Sequence, residues 1–257
     1  MLSSKKVTAV LVFVLIILVM GSTLARQNHV PPGQNRQQRV LDQELIDRQQ
    51  KKQAELEAQF PTVDYDAPEV GNDPDEVARR KEKNSRYDKR HFVSKDPNPG
   101  VSESAVILEG YSVPALPAEQ SSLITVGEVL DSHAHLSNDK SGIYTELSIR
   151  IQEIIKNAAP SHLTAGRVIT GERQGGIVRY QNAHRRLYHL AEEGMPSAGR
   201  KYVLFLGAVE HSKDYRVLTG YELSPNGVIP IDTSRQFKTY EGYDPDSFLN
   251  VVRAAIQ

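Results

Sequence analysis

Side chains with metal-ligand chemistry recur at every second position in Asp131-Ser132-His133-Ala134-His135, directly after the apolar stretch Leu123 to Leu130. Such residues share one side of an extended chain, and imidazole and carboxylate are donors that zinc accepts. The spacing offers a hydrolytic zinc site on Asp131, His133 and His135, with a distant third imidazole such as His184, but the reading preferred for Asp131 to Leu136 is a polar loop at the end of the strand Leu123 to Leu130. A second group, His184, Arg185, Arg186 and His189, is basic and could meet an anionic ligand. The same residues also suit the solvated border of a strand, where positive charge discourages pairing with another chain. Ser137-Asn138-Asp139-Lys140 has the Ser-x-x-Lys spacing, but in a connection between strands rather than at a helix start. The sequence holds neither a Gly-x-Ser-x-Gly elbow nor a Gly-x-x-x-x-Gly-Lys phosphate loop. No catalytic group assembles from these residues alone. The function they favour is a binding or scaffolding module without enzymatic activity or cofactor, and the alternative is a zinc-dependent hydrolase using His133 and His135.

These residues sit in a β-patterned region from Val106 to Gln257. From Ile143 to Ile151 apolar and polar residues alternate, which predicts a half-buried strand, and the phase blurs at Ile154-Ile155 as a bulge or strand end would cause. Arg167 to Thr170 and Ile177 to Tyr180 flank Gly171 and Gly175-Gly176, which predicts a bend or hairpin. Arg185 to Ala191 is read as a strand by its alternation. Tyr202-Val203-Leu204-Phe205-Leu206 is apolar on both parities, so Lys201 to Val209 should be a central strand covered on both faces. Tyr215 to Leu223 and Val228 to Ile231 are joined through Asn226-Gly227, a pair suited to the positive φ of a hairpin turn. A helix closes the chain over 244–256: Asp244 caps it, Pro245 fits its first position, and Phe248, Val251, Val252, Ala255 and Ile256 form one apolar face. Seven or so short strands and a terminal helix predict a mainly β domain, a small barrel or sandwich, with a barrel of the oligonucleotide/oligosaccharide-binding (OB) type preferred.

The region before it is built differently. Val7 to Met20 is apolar except for Thr8 and follows Lys5 and Lys6, so the positive side should stay in the cytoplasm and the rest lie outside. Continued to Ala25, the stretch has 19 residues, close to the roughly 20 that cross a bilayer. Residues 1–25 are therefore expected to be a transmembrane anchor of a single-pass cell-envelope protein. The alternative is a signal peptide cut near Ala25, leaving a secreted or periplasmic protein. From Arg26 to Ala105 the composition predicts a largely disordered, partly helical linker, with a solvated helix around 35–59 ending at Phe60-Pro61.

The chain carries 31 Lys and Arg against 32 Asp and Glu, a net charge of −1. That balance argues against a broad nucleic-acid surface and leaves the membrane, an envelope protein or a glycan as expected partners. With no cysteine there is no disulfide framework and no thiolate metal site.

Two resemblances bear on these readings. Asp131-x-His133-x-His135 after an apolar strand resembles the first barrel strand of metal-dependent hydrolases of the amidohydrolase type, which implies a divalent ion; the chain after Leu136 is shorter than the about 200 residues an eight-fold barrel requires. Across Thr125 to Ile231, the stretches Val126-Gly127-Glu128-Val129, Ile143-Tyr144-Thr145-Glu146, Gly175-Gly176-Ile177-Val178-Arg179, Glu193-Gly194-Met195-Pro196 and Gly199 to Leu206 are similar to an uncharacterised family of exported bacterial proteins. The strand order also resembles netrin-like modules, whose fold is an OB-type barrel, although the cysteines of that family are missing. This implies a small β-barrel domain and no particular activity.

Overall fold

The computed structural model describes residues 43–48, 51, 54–55, 57–67, 73–95, 104–107, 113–158, 162–181 and 184–256. The expected anchor over 1–25 and the start of the expected helix around 35–59 lie outside these residues. No helix among the described residues is long and apolar enough to cross a membrane. The chain divides into two units, Met1–Glu55 and Leu56–Gln257. In the first, residues 43–48, 51 and 54–55 are helical, and Gln43 Nε2 donates to Asp47 Oδ1 one turn away at 2.9 Å.

The second unit is mainly β. Its elements are β1 (Thr62–Asp64), α1 (Pro74–Ser85), β2 (Ser104–Ile107), β3 (Leu123–Leu136), β4 (Ile143–Asn157), β5 (Val168–Gln174), β6 (Gly176–Arg179), β7 (Arg185–Leu190), β8 (Lys201–Ala208), β9 (Tyr215–Ser224), β10 (Gly227–Pro230), a 3-10 turn at Phe237–Tyr240, and α2 (Pro245–Ala254). One sheet runs β10-β9-β5-β4-β3-β8, and β9 also pairs with β8. The pairings β3-β4-β5-β9-β8 therefore return to their start, all antiparallel except the parallel β5–β9 contact. Register shifts at Ile124/Thr125, Val126/Gly127 and Val129/Asp131 mark bulges between β3 and β4, the local bends a curling sheet requires. They account for the broken alternation at Ile154-Ile155, because Thr125 lies opposite Ile154 across the first shift.

Two apolar clusters follow from the strand faces. Leu123, Val129, Leu147, Ile149, Ile169, Leu204, Leu206 and Val217 fill one side. Ile124, Val126, Val203, Phe205, Tyr221 and Val228 fill the other, under Phe248, Leu249 and Val252 of α2. The β8 strand, paired with β3 and β9, is buried on both parities because Tyr202, Leu204 and Leu206 enter the first cluster and Val203 and Phe205 the second, as the run Tyr202 to Leu206 predicts. The terminal helix begins as expected, with Asp244 Oδ1 accepting from the Ser247 N–H at 2.9 Å, but it ends at Ala254, and Ile256 lies beyond it, 37% exposed.

The tract expected to be a linker up to Ala105 is where the fold differs from the sequence reading. The compact unit begins at Leu56, not near Val106. Phe60 is buried in the first core cluster, and Val93 packs with Tyr188, Val178 and Ile143 in a third. The β1 and β2 strands pair in parallel with β6 and β7, covering both edges of the β6–β7 hairpin. The physical reason is that ladder pairing and a few well-placed aromatic residues hold this segment, so it folds against the sheet despite being poor in apolar side chains.

Candidate functional site

The β3, β4 and β5 strands bring the chemistry-bearing residues onto one face in rows across the sheet. His135, Tyr144 and Gln174 form one row, His133, Glu146 and Glu172 the next, and Asp131, Ser148 and Thr170 a third. The stretch Asp131 to Leu136 is therefore not a loop at a strand end but the second half of β3, held by its ladder with β4, so Asp131, His133 and His135 do alternate on one face, although their surroundings differ. Asp131 and His133 are exposed and pair with each other, His133 Nε2 lying 2.7 Å from Asp131 Oδ2. His135 is half-buried, its Nε2 is 3.8 Å from Glu146 Oε2 and has no hydrogen-bond partner, and burial, followed by the Arg80 charge, lowers its pKa to about 4. His184 precedes β7 in the other sheet, 6.3 Å from the Tyr180 ring centroid. Among the described residues, no three His, Asp or Glu side chains are placed to hold a metal ion.

Among the described residues, this face also carries a group of charges that the sequence reading missed. Across this face lies α1, whose Arg80 Nη1 donates to Glu146 Oε1 at 2.5 Å and whose Lys83 Nζ reaches Glu146 Oε1 at 3.1 Å and Asp214 Oδ2 at 3.0 Å. Just beyond the helix, Arg86 Nη1 pairs with Glu172 Oε1 at 2.8 Å, and the Tyr87 hydroxyl donates to Glu172 Oε2 at 3.0 Å. The Tyr87 and Tyr144 rings stack at 4.1 Å, and the Tyr144 hydroxyl donates to Asn84 Oδ1 at 2.8 Å. Burial opposes ionisation of Glu146, but Arg80 and Lys83 outweigh it and hold this carboxyl below its ordinary range. Asp214 is likewise held low against its burial by Ser212 and Lys83. Glu172 is pushed up, by burial first and with the Asp214 charge adding to it.

Three cations therefore meet three carboxylates in a half-dry layer. Pairing of this kind fixes geometry, because removing one partner leaves a poorly solvated charge. The sequence did hold a signal for it: Asp73-Pro74-Asp75-Glu76 is a helix start, and Arg80 and Lys83 fall on one face three residues apart.

The basic candidates do not form one patch. On β7, Arg185 and His189 share a parity and Arg186 has the other. Arg185 is exposed, with Nη2 3.4 Å from Thr62 Oγ1, while Arg186 lies over the Tyr188 ring at 5.4 Å. His189 is half-buried against Phe60, its Nδ1 2.9 Å from the Leu190 carbonyl, and burial lowers its pKa. In the Ser-x-x-Lys stretch, Ser137 Oγ donates to Asp139 Oδ1 at 2.8 Å, whereas Lys140 Nζ donates to the Tyr65 carbonyl at 2.6 Å. A second buried polar group joins Arg173 to Asp232, whose Oδ2 accepts from Thr219 Oγ1 at 2.6 Å and whose Oδ1 accepts from the Gly194 N–H at 3.1 Å.

No protein-family model matches the chain, and no curated protein matches it.

Proposed function

We propose that this protein is a membrane-tethered module of the cell envelope that works by binding or scaffolding, with the five-strand ring acting as a barrel of the OB type. The observation that carries the reading is the pairing order β3-β4-β5-β9-β8, with its one parallel contact between β5 and β9. A five-stranded, partly open barrel is the scaffold on which OB modules bind extended polymers. The apolar run Val7 to Met20 after Lys5 and Lys6 supports an address outside the cytoplasm. The near-neutral net charge favours a glycan or an envelope protein over nucleic acid as the partner. Binding is preferred to catalysis because Glu146, Glu172 and Asp214, the carboxylates best placed for acid or base work, are paired with Arg80, Lys83 and Arg86.

The full chain, expressed in a bacterial host, tests the reading through alkaline carbonate extraction of membranes followed by cosedimentation of the detergent-purified protein with isolated cell-wall glycan and with envelope extract. The reading expects retention in the extracted membrane and saturable cosedimentation with one of the two. Release as a soluble cytoplasmic protein, or no retention by either, would contradict it.

A further inference from the structure

Helix α1 is held to the rest of its unit mainly by charge. The residues it buries are Lys83 and Asn84, and its hydrophobic positions do not enter any of the three apolar clusters. Its ends carry helix signals, with the Asp73 side chain accepting from the Asp75 N–H, Pro74 in the first turn, Asp75 and Glu76 near the positive end of the dipole and Lys83 near the negative end, but a helix of 12 residues is marginal by itself in water and loses its backbone hydrogen bonds once it leaves the sheet. Among the described residues, its backbone joins the neighbouring elements at the Lys81 carbonyl, which accepts from Asn138 Nδ2 at 2.9 Å. No sheet ladder breaks if it leaves. The aromatic anchor is Tyr87, stacked on Tyr144.

The segment that follows is under backbone strain. Lys89 and His91 both have φ of 59°, a region that side chains with a Cβ disfavour. They are kept there by the Lys89 N–H to Asp139 Oδ2 bond at 2.8 Å and the Arg90 N–H to Ser141 Oγ bond at 3.2 Å. Close approach to the β3–β4 turn is built in, since a Cβ on Gly142 would lie 2.2 Å from the Tyr87 carbonyl oxygen. Strain on one side and a polar latch on the other describe a segment of low local stability beside a well-packed sheet.

We propose that Pro74 to Tyr87 is a strap that opens as a unit while the strand ring stays folded, its latch being the network of Arg80, Lys83 and Arg86 with Glu146, Glu172 and Asp214. Opening bares the face of β3–β5 that carries His135, Tyr144, Glu146 and Glu172, so ionic strength sets how often that face meets solvent. The opening stands whether or not the face binds a partner.

Hydrogen exchange read by mass spectrometry on the detergent-purified full chain tests this at 50 and 500 mM NaCl. The strap predicts that exchange over residues 74–87 quickens about threefold at the higher salt, a modest change because the latch side chains keep only 1–24% of their surface exposed and salt screens such pairs only in part. Exchange in β4 and β8 should not change. Equal protection of α1 at both salts, or exchange of α1 only together with β8, overturns the proposal. The double variant Glu146→Gln, Asp214→Asn should show fast exchange over 74–87 at low salt with β8 still protected. If α1 keeps its protection in that variant, or if the ring unfolds with it, the network is part of the ring's own support and the strap does not exist.

Discussion

Replacing Phe248 by Ala tests how far the terminal helix belongs to the fold. Its ring is fully buried, 4.7 Å from the Tyr221 ring and 5.4 Å from the Tyr240 ring, at the centre of the cluster that joins α2 to β3, β8 and β9. Truncation of a buried Phe to Ala costs about 3–5 kcal/mol through lost transfer free energy and the cavity left behind. Against a total stability of about 5–15 kcal/mol this is a large fraction. In a domain of this size each kcal/mol lowers Tm by about 2–4 °C, so the expected fall is about 10 °C. Ile256→Ala is the internal control: Ile256 follows the helix and is partly exposed, so its loss should change stability by no more than about 0.5 kcal/mol. Thermal melting of the detergent-purified chain by far-ultraviolet circular dichroism reads both. Equal Tm values for the two variants would refute the reasoning, because α2 would then not be part of the cooperative unit.

Phe60→Ala should also destabilise the second unit by about 3–5 kcal/mol, since Phe60 is buried in the first core cluster, and a denaturation midpoint equal to wild type would return residues 57–67 to the status of a linker. His135 gives a pH dependence whose sign follows from its lowered pKa. Between the usual 6.5 and about 4 the unfolded chain holds the extra proton, so stability is full above pH 6.5 and falls as pH drops towards 4, by at most about 3 kcal/mol. Urea unfolding of His135→Gln at pH 7 and pH 4.5 should show a smaller acid loss than wild type, and an identical loss would show that His135 is not a source of it. Arg173→Met should cost about 3–5 kcal/mol because Asp232, 3% exposed, loses its counter-charge, and adding Asp232→Asn should recover part of it; a double variant no more stable than Arg173→Met would contradict that pairing.

The strands of the ring and the start of α2 were legible because their signals are periodic and local. Alternation over Ile143 to Ile151, the doubly apolar Tyr202 to Leu206 and the Asp244-Pro245 cap each specify an element without reference to distant residues. The β1 and β2 strands were not legible because three or four residues carry little pattern, and their partners, β6 and β7, lie far along the chain. The charged layer under α1 was hidden for a related reason. Arg80, Lys83 and Arg86 look like the polar content of a spacer until β4, β5 and Asp214 are brought beside them. The Asp131–His133 pair is local to β3, two residues apart and exposed, whereas the burial of His135 depends on the neighbouring strand and helix, which spacing alone does not show.

The measurement that bears most directly on a tethered module outside the cytoplasm uses the absence of cysteine in the chain. A single Lys238→Cys substitution places one thiol on an exposed turn of the second unit. Intact spheroplasts carrying this variant are treated with a membrane-impermeant maleimide, and labelling is compared with that after lysis. Complete labelling before lysis, on protein that pellets with the membrane, is the predicted result; labelling that appears only after lysis would contradict the account.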